Sequence, residues 1–298
     1  MKLFYLIMAH HNFAQLDRMI DALEHPEAKF IIHIDRKVNI KDLHAFKFRS
    51  KDNCQLLKTR YNITWGGYNM IPATLSLISA VMKYKTKGYC VLLSGMDYPV
   101  KSSDDIIGFL SSNYGHEYMD YEPMPRKDWK ESNGGLDRVN YYWFVDSMGI
   151  RDSMRMFGLQ KKAGMTRRFF NDFDFYGGSL WWCLTTECVD YISRFVRVND
   201  AYCNFFTHAF CPDEIFFNSV IANSHYSEKV QKTSLRYIVW ANKPHPETLT
   251  VDDYEPVVSS GHLWMRKLDL YNENSLKLMD KIDEGILIRQ NQNSQTMR

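Results

Sequence analysis

Glu214 is the side chain best placed by its neighbours to do chemistry. It closes Cys211-Pro212-Asp213-Glu214, which runs straight into the apolar Ile215-Phe216-Phe217. Proline is favoured at the first helical position, and acidic groups there meet the positive end of the helix dipole. The segment therefore predicts a helix that opens with an ionised carboxylate in its first turn. Such a group takes a proton rather than gives one, which is the property of a general base. An ordinary acidic helix start has the same pattern, so the role rests on what stands elsewhere in the chain.

Four other groupings could carry chemistry. Asp172-Phe173-Asp174 is an Asp-x-Asp pair of the kind that holds magnesium or manganese. It follows Phe169-Phe170 and precedes Tyr176-Gly177-Gly178 instead of closing a long central strand, which argues against a metal. His10 and His11 follow a buried apolar run, and without a third ligand they suit hydrogen bonding to a nucleotide or to backbone better than a metal. Asp120 and Glu122 stand two apart on a predicted strand, share one face and could grip sugar hydroxyls. Trp181 and Trp182 alternate on a predicted strand, so one belongs to the core and the other can meet a sugar; Trp182 is carried as the sugar-side candidate.

The elements that position these residues are legible as periodicity. Residues 3–9 are a continuous apolar run, Leu16, Met19, Ile20 and Leu23 recur at helical spacing, and Phe30 to Asp35 is a second buried run. The pattern repeats with a strand at Cys54-Gln55-Leu56-Leu57, a helix over residues 70–84 with Pro72 near its start, and a strand at Tyr89-Cys90-Val91-Leu92-Leu93. Strands alternating with helices predict an α/β fold with a mostly parallel central sheet and helices on both faces. Ligands in such sheets bind beyond the carboxyl ends of the strands. Those positions here are polar: His10-His11, Asp35-Arg36-Lys37, Asn62 to Gly67 and Ser94-Gly95-Met96-Asp97. No Gly-x-Gly-x-x-Gly or Gly-x-x-x-x-Gly-Lys occurs, which disfavours a dinucleotide fold and a phosphate loop.

At 298 residues and 45% hydrophobic content the chain can bury a large core. We expect a single domain over residues 1–298, with a nucleotide-binding half at 1–115, an acceptor and catalytic half at 116–270, and a C-terminal helix and frayed polar tail at 271–298. A formal charge of +2 gives no general attraction to nucleic acid. The aromatic content of 14% is high enough to suggest sugar stacking as well as core. The six cysteines form no Cys-x-x-Cys pair, so neither a zinc site nor a disulfide framework is indicated. No run of apolar residues is long enough to span a bilayer, and the opening residues lack a cleavage site, so a cytoplasmic protein is expected. Residues 151–168 mix Arg151, Arg155, Lys161, Lys162, Arg167 and Arg168 with Met154, Met156, Phe157 and Leu159. A solvated mobile loop and a peripheral contact with a membrane or an anionic acceptor both fit that mixture.

Taken together, eight segments resemble the core-2/I-branching N-acetylglucosaminyltransferase and peptide O-xylosyltransferase family. They are His10-His11 with Leu16-Asp17-Arg18, Ile32 to Lys37, Trp65, Ser94 to Pro99, Gly178-Ser179, Pro212-Asp213-Glu214, Leu235-Arg236-Tyr237, and Arg266-Lys267-Leu268-Asp269. The resemblance implies a GT-A-like nucleotide-sugar glycosyltransferase fold and an inverting reaction that needs no divalent metal or other cofactor. It makes Glu214 the catalytic base, Arg236 and Lys267 the diphosphate-binding pair, and Asp35 the uridine-contacting acid, and His11 is expected to join Asp35 at the nucleotide. Asp97, Asp120, Glu122 and Trp182 are expected as donor or acceptor sugar contacts, and of these Asp120 loosely matches an acceptor-contacting acid of the family. The predicted strand Tyr89 to Leu93 ends with one acid, Asp97, where a metal would want two, and two fixed cations can supply the missing charge. Arg236 and Lys267 lie farther apart than in the animal branching enzymes, which affects the acceptor more than the chemistry.

The implied partners are a UDP-sugar, with N-acetylglucosamine first and xylose second, and a glycan acceptor. The absence of an export signal suggests a bacterial enzyme of surface-polysaccharide assembly that meets a lipid-linked acceptor on the inner face of the membrane. Two rival readings are a glycosidase pairing Glu214 with Asp97 and a carbohydrate-binding protein without turnover.

Overall fold

A computed structural model describes residues 1–167, 173–241 and 245–296 of the chain. It divides into two compact units, and neither is continuous in sequence: one comprises Met1–Leu56, Val91–Tyr114 and Leu235–Arg298, the other Leu57–Cys90 and Gly115–Ser234. The division differs from the expected halves. Residues 57–90 belong with the second unit, and the chain returns to the first at Leu235, because strands that complete one unit are supplied from distant parts of the sequence.

In chain order, unit one opens with β1 (Lys2–Ala9), α1 (Phe13–Ala22), β2 (Ala28–Ile34) and β3 (Cys54–Leu56). Unit two begins with α2 (Met70–Met82) and the start of β4 (Gly88–Ser94), which passes into unit one at Val91. Unit one then adds β5 (Asp97–Pro99) and α3 (Ser103–Ser112). Unit two continues with β6 (Glu117–Tyr118), β7 (Tyr121–Pro123), α4 (Leu136–Val139), α5 (Val145–Lys162), β8 (Tyr176–Gly178) and β9 (Cys183–Thr185). It closes with α6 (Thr186–Val198), α7 (Asp200–Phe206), α8 (Phe216–Ala222) and β10 (Val230–Gln231). Unit one ends with β11 (Arg236–Ile238), α9 (Tyr254–Ser259), β12 (Trp264–Arg266) and α10 (Glu273–Thr296).

The class is mixed α/β with a mainly parallel main sheet of seven strands, as the alternating pattern predicts. Unit one contributes the order β4-β1-β2-β3, with β1 parallel to β2 from Leu3 opposite Ala28 to Ala9 opposite Ile34. Every residue of β1 after Lys2 is buried, the pattern of a strand covered on both faces. The α1 helix lays Gln15, Leu16, Met19 and Ile20 on its buried side, the i, i+3, i+4 spacing of an amphipathic helix. Unit two carries β10-β6-β9, in which β6 runs antiparallel to β9. Smaller sheets are β11-β12-β5 in unit one and β7-β8 in unit two.

Four local expectations change. The predicted strand from His116 to Glu122 is two strands, because the chain leaves the main sheet after Tyr118 and Tyr121 pairs with Gly178 instead. A side chain at Gly178 would stand 2.0 Å from the Asp120 carbonyl oxygen, so only glycine permits that approach. Residues 151–162 lie in α5 rather than a loop, while Arg168 lies outside the described residues. The polar tail continues as α10 to Thr296. Finally, the predicted helix start at Pro212 is a separate 3₁₀ turn, Pro212–Glu214, and α8 begins at Phe216 after Ile215 departs from helical angles.

The aromatic content fills the core of unit two more than it faces solvent. Tyr202 packs 4.8 Å from Phe206 and 4.9 Å from Phe216, and Trp182 and Phe217 are fully buried beside each other. Much of the composition that suggested sugar stacking is therefore packing.

Candidate functional site

In unit one the polar residues gather beyond the carboxyl ends of β1, β2 and β4. His10 and His11 leave β1 exposed, with ring centroids 4.1 Å apart. Burial and the neighbouring His11 hold the His10 imidazole below its ordinary pKa, against an opposing pull from Asp35; Lys37 and Arg266 add to the depression. Asp35 follows β2, is almost fully buried, accepts from the Lys37 backbone N–H at 2.8 Å and lies 3.7 Å from Lys37 Nζ. Asp35 thus stands near His10 and beside the Lys37 cation.

The end of β4 is organised around Asp97. Its Oδ2 accepts from the Ser94 N–H at 2.8 Å and lies 3.5 Å from Arg236 Nη2, while Oδ1 lies 3.2 Å from Arg266 Nη1. Arg266 also donates to Ser94 Oγ at 2.6 Å. Asp97 has no exposed surface, so its predicted role as a sugar contact gives way to that of counter-ion for two guanidinium groups. A carboxylate committed in this way also makes a poor partner for Glu214 in a glycosidase pair. Arg236, expected on the diphosphate, is itself buried and donates to the Leu92 carbonyl at 2.9 Å. Arg266, named by sequence only within its motif, is the more exposed of the two arginines on Asp97.

Lys267 follows β12 and is half-buried; its ammonium makes no hydrogen bond or ion pair among the described residues. Its backbone carbonyl accepts from Leu249 N–H at 2.9 Å. The segment after it is tied to the start of α1. Gln15 is fully buried and donates to the Leu268 carbonyl at 3.2 Å, and its Oε1 accepts from the Leu270 N–H at 2.9 Å. Asn12, in the left-handed region at φ 57°, donates to Asp269 Oδ1 at 3.1 Å. These two amides fix Lys267 relative to the His10-His11 turn, a role sequence reasoning missed because the partners are more than 250 positions apart.

In unit two, Glu214 ends the 3₁₀ turn that Cys211 opens in the left-handed region at φ 44°, ψ 51°. A non-glycine residue there costs on the order of 1–3 kcal/mol and persists because its surroundings hold it. The Cys211 N–H donates to the Gly66 carbonyl at 3.0 Å, and Asn218 Nδ2 donates to the Glu214 carbonyl at 2.8 Å. The Glu214 side chain is partly exposed, and Arg138 Nη1 donates to its Oε2. Arg138 lies in turn on the Trp129 ring, 3.8 Å from its centroid. Oε1 of Glu214 has no partner among the described residues. Burial first, and the Glu214 charge second, push the Asp213 carboxyl up to about 7. The site therefore holds one carboxylate fixed by an arginine and a neighbouring one driven toward its neutral form.

The remaining predicted contacts divide. Asp120 and Glu122 both reach solvent; Glu122 pairs with Lys232 at 2.9 Å, while partial desolvation of the Asp120 carboxyl pushes it up, with Arg126 opposing. Trp182 is fully buried against Phe217 and precedes β9 rather than alternating on it, so it is a core residue and not a sugar platform. Trp181 is half-buried. Asp172 lies outside the described residues; Asp174 is exposed, and its carbonyl accepts from Asn223.

Over 245 residues the chain is 25% identical to the xylosyltransferase oxt of Drosophila pseudoobscura pseudoobscura, covering 80% of this chain and 26% of that one. It is 26% identical over 309 residues to the beta-glucuronosyltransferase GlcAT14B of Arabidopsis thaliana, covering 97% of this chain and 67% of that one. It is also 26% identical over 247 residues to xylosyltransferase 2 of Rattus norvegicus, covering 80% and 26%. The chain thus spans about a quarter of the length of these two xylosyltransferases. Among solved structures, S. aureus TarS 1-349 in complex with UDP-GlcNAc aligns over 40% of this chain and 34% of that one, at 13% identity and a TM-score of 0.31, too slight a likeness to bear on function. Residues 3–259 match the Core-2/I-Branching enzyme family, and the chain belongs to that family of glycosyltransferases.

Proposed function

We propose that the protein is an inverting, metal-independent glycosyltransferase that moves a sugar from a UDP donor to a glycan hydroxyl. The acceptor hydroxyl loses its proton to Glu214 while its oxygen attacks the anomeric carbon from the face opposite UDP. The bond from that carbon to the diphosphate oxygen breaks, and UDP departs with the electron pair. Arg138 orients the base by occupying Oε2, which leaves Oε1 for the proton.

The observation that carries this reading is the charge at the end of β4. One carboxylate, Asp97, faces both Arg236 and Arg266, and the Lys267 ammonium follows on the next residue without a partner among the described residues. The local charge is positive, as a leaving diphosphate requires, and fixed cations of this kind stabilise developing negative charge without reorganising. Lysine acts there as a point charge, and an arginine adds directed hydrogen bonds. Asp35 and His11 take the nucleoside, and the exposed Asp120 and Glu122 take sugar hydroxyls.

N-acetylglucosamine is the first candidate donor sugar, from the branching enzymes of the family, and xylose and glucuronate enter through the named relatives. The test is UDP release from UDP-N-acetylglucosamine, UDP-xylose and UDP-glucuronate in the presence of a chelator, with UDP affinity measured by calorimetry. Release above background from one donor supports the reading. A protein that binds glycans but not UDP would overturn it.

A further inference from the structure

We propose that the outward side of α5 is a docking surface for an anionic lipid bilayer. Gly149, at φ 78°, interrupts α5, and beyond it the helix buries only Ser153 and Gln160. Successive helical residues turn by about 100°, which places Arg151, Arg155 and Lys162 together at the middle of the outward side, with Met154 on one flank and Leu159 on the other. Met154 and Leu159 are 51% and 60% exposed. Each borders the cationic strip, so both can enter a headgroup boundary that the strip's charges meet.

Asp152 pairs with Arg155 at 2.9 Å and Arg151 at 3.5 Å, so it offsets one of those charges. Lys162 makes no ion pair among the described residues, and the strip stays cationic. Acidic headgroups attract such charges, while methionine and leucine can leave water for the headgroup boundary. The composition favours lipid over an acidic protein. A protein hot spot concentrates tryptophan, tyrosine and arginine in a packed pocket, whereas this strip offers flexible aliphatic groups on a convex helix. No helix among the described residues is long and apolar enough to cross a membrane, so the contact is peripheral.

The test is sedimentation with phosphatidylcholine vesicles, with and without phosphatidylglycerol, at low and high salt. The parent should sediment with the anionic vesicles alone and be released by salt. The combined Arg151→Gln, Arg155→Gln and Lys162→Gln variant should lose at least about tenfold in partitioning, given the attraction of each cation to the surface. Met154→Ser with Leu159→Ser should lose several-fold with charge unchanged. Circular dichroism confirms that both variants fold. A parent that ignores anionic vesicles at low salt overturns the proposal, as does a charge variant or a serine variant that sediments like the parent. Binding to an acidic protein without any vesicle binding overturns it too.

Discussion

The Arg138 guanidinium donates to Glu214 Oε2 while its flat face rests on the Trp129 ring. Stacking fixes the arginine, and the arginine fixes the carboxylate, so the Glu214 side chain is held by two residues far from it in sequence. Arginine suits this arrangement because its planar head can stack and donate at once, which lysine cannot do.

Replacing Arg138 should therefore disorient the base without disturbing the nucleotide. Arg138→Ala removes a charged hydrogen bond of about 1.5–3 kcal/mol, or roughly 10- to 100-fold in turnover. Glu214→Gln should cost more, about 10² to 10⁴ in rate, as for loss of a general base. Calorimetry should find UDP affinity within a few-fold of the parent in both. Near-normal turnover of Glu214→Gln would remove it from the mechanism.

Activity should survive exhaustive chelation, whereas Lys267→Ala should lower turnover by about 10² to 10³. Lys267→Ala should also weaken UDP binding and leave uridine binding unchanged, because uridine lacks the phosphates. Loss of activity on chelation with recovery in manganese would reverse the charge argument and turn attention to Asp172 and Asp174.

Asp97→Asn should act on stability before chemistry. It removes the carboxylate charge that lies 3.5 Å from the buried Arg236 guanidinium, and breaking a buried pair costs about 3–5 kcal/mol. Urea titration should show a lower midpoint, and a midpoint equal to the parent's would contradict the role assigned to Asp97.

Burial pushes the Glu117 carboxyl up to about 7, although it accepts from the Thr185 N–H and hydroxyl. Its folded-state pKa lies above the unfolded value, so its contribution is full below pH 4.5 and is lost as pH rises toward about 7. Glu117→Gln should flatten that part of the stability profile, removing up to roughly 3 kcal/mol of pH dependence. Thermal melts between acidic and neutral pH measure it; an unchanged slope would show that Glu117 is ionised throughout.

Sequence alone determined the alternating strands and helices of the first hundred residues and the motif residues. Apolar runs mark β1, β2 and β4, whose burial on both faces leaves no polar alternation to confuse the reading. The polar residues after those strands were visible because sheets present their carboxyl ends to ligands. Tertiary structure decided the rest. Trp182 and Trp181 are indistinguishable as residue types, and only packing against Phe217 assigns one to the core. Asp97 reads as an accessible acid until Arg236 and Arg266 arrive from more than 130 positions away to bury it. The pairing of Arg138 with Glu214 spans 76 positions. No local spacing encodes such contacts, because they arise when the chain closes on itself and brings together charges that their own neighbours do not constrain.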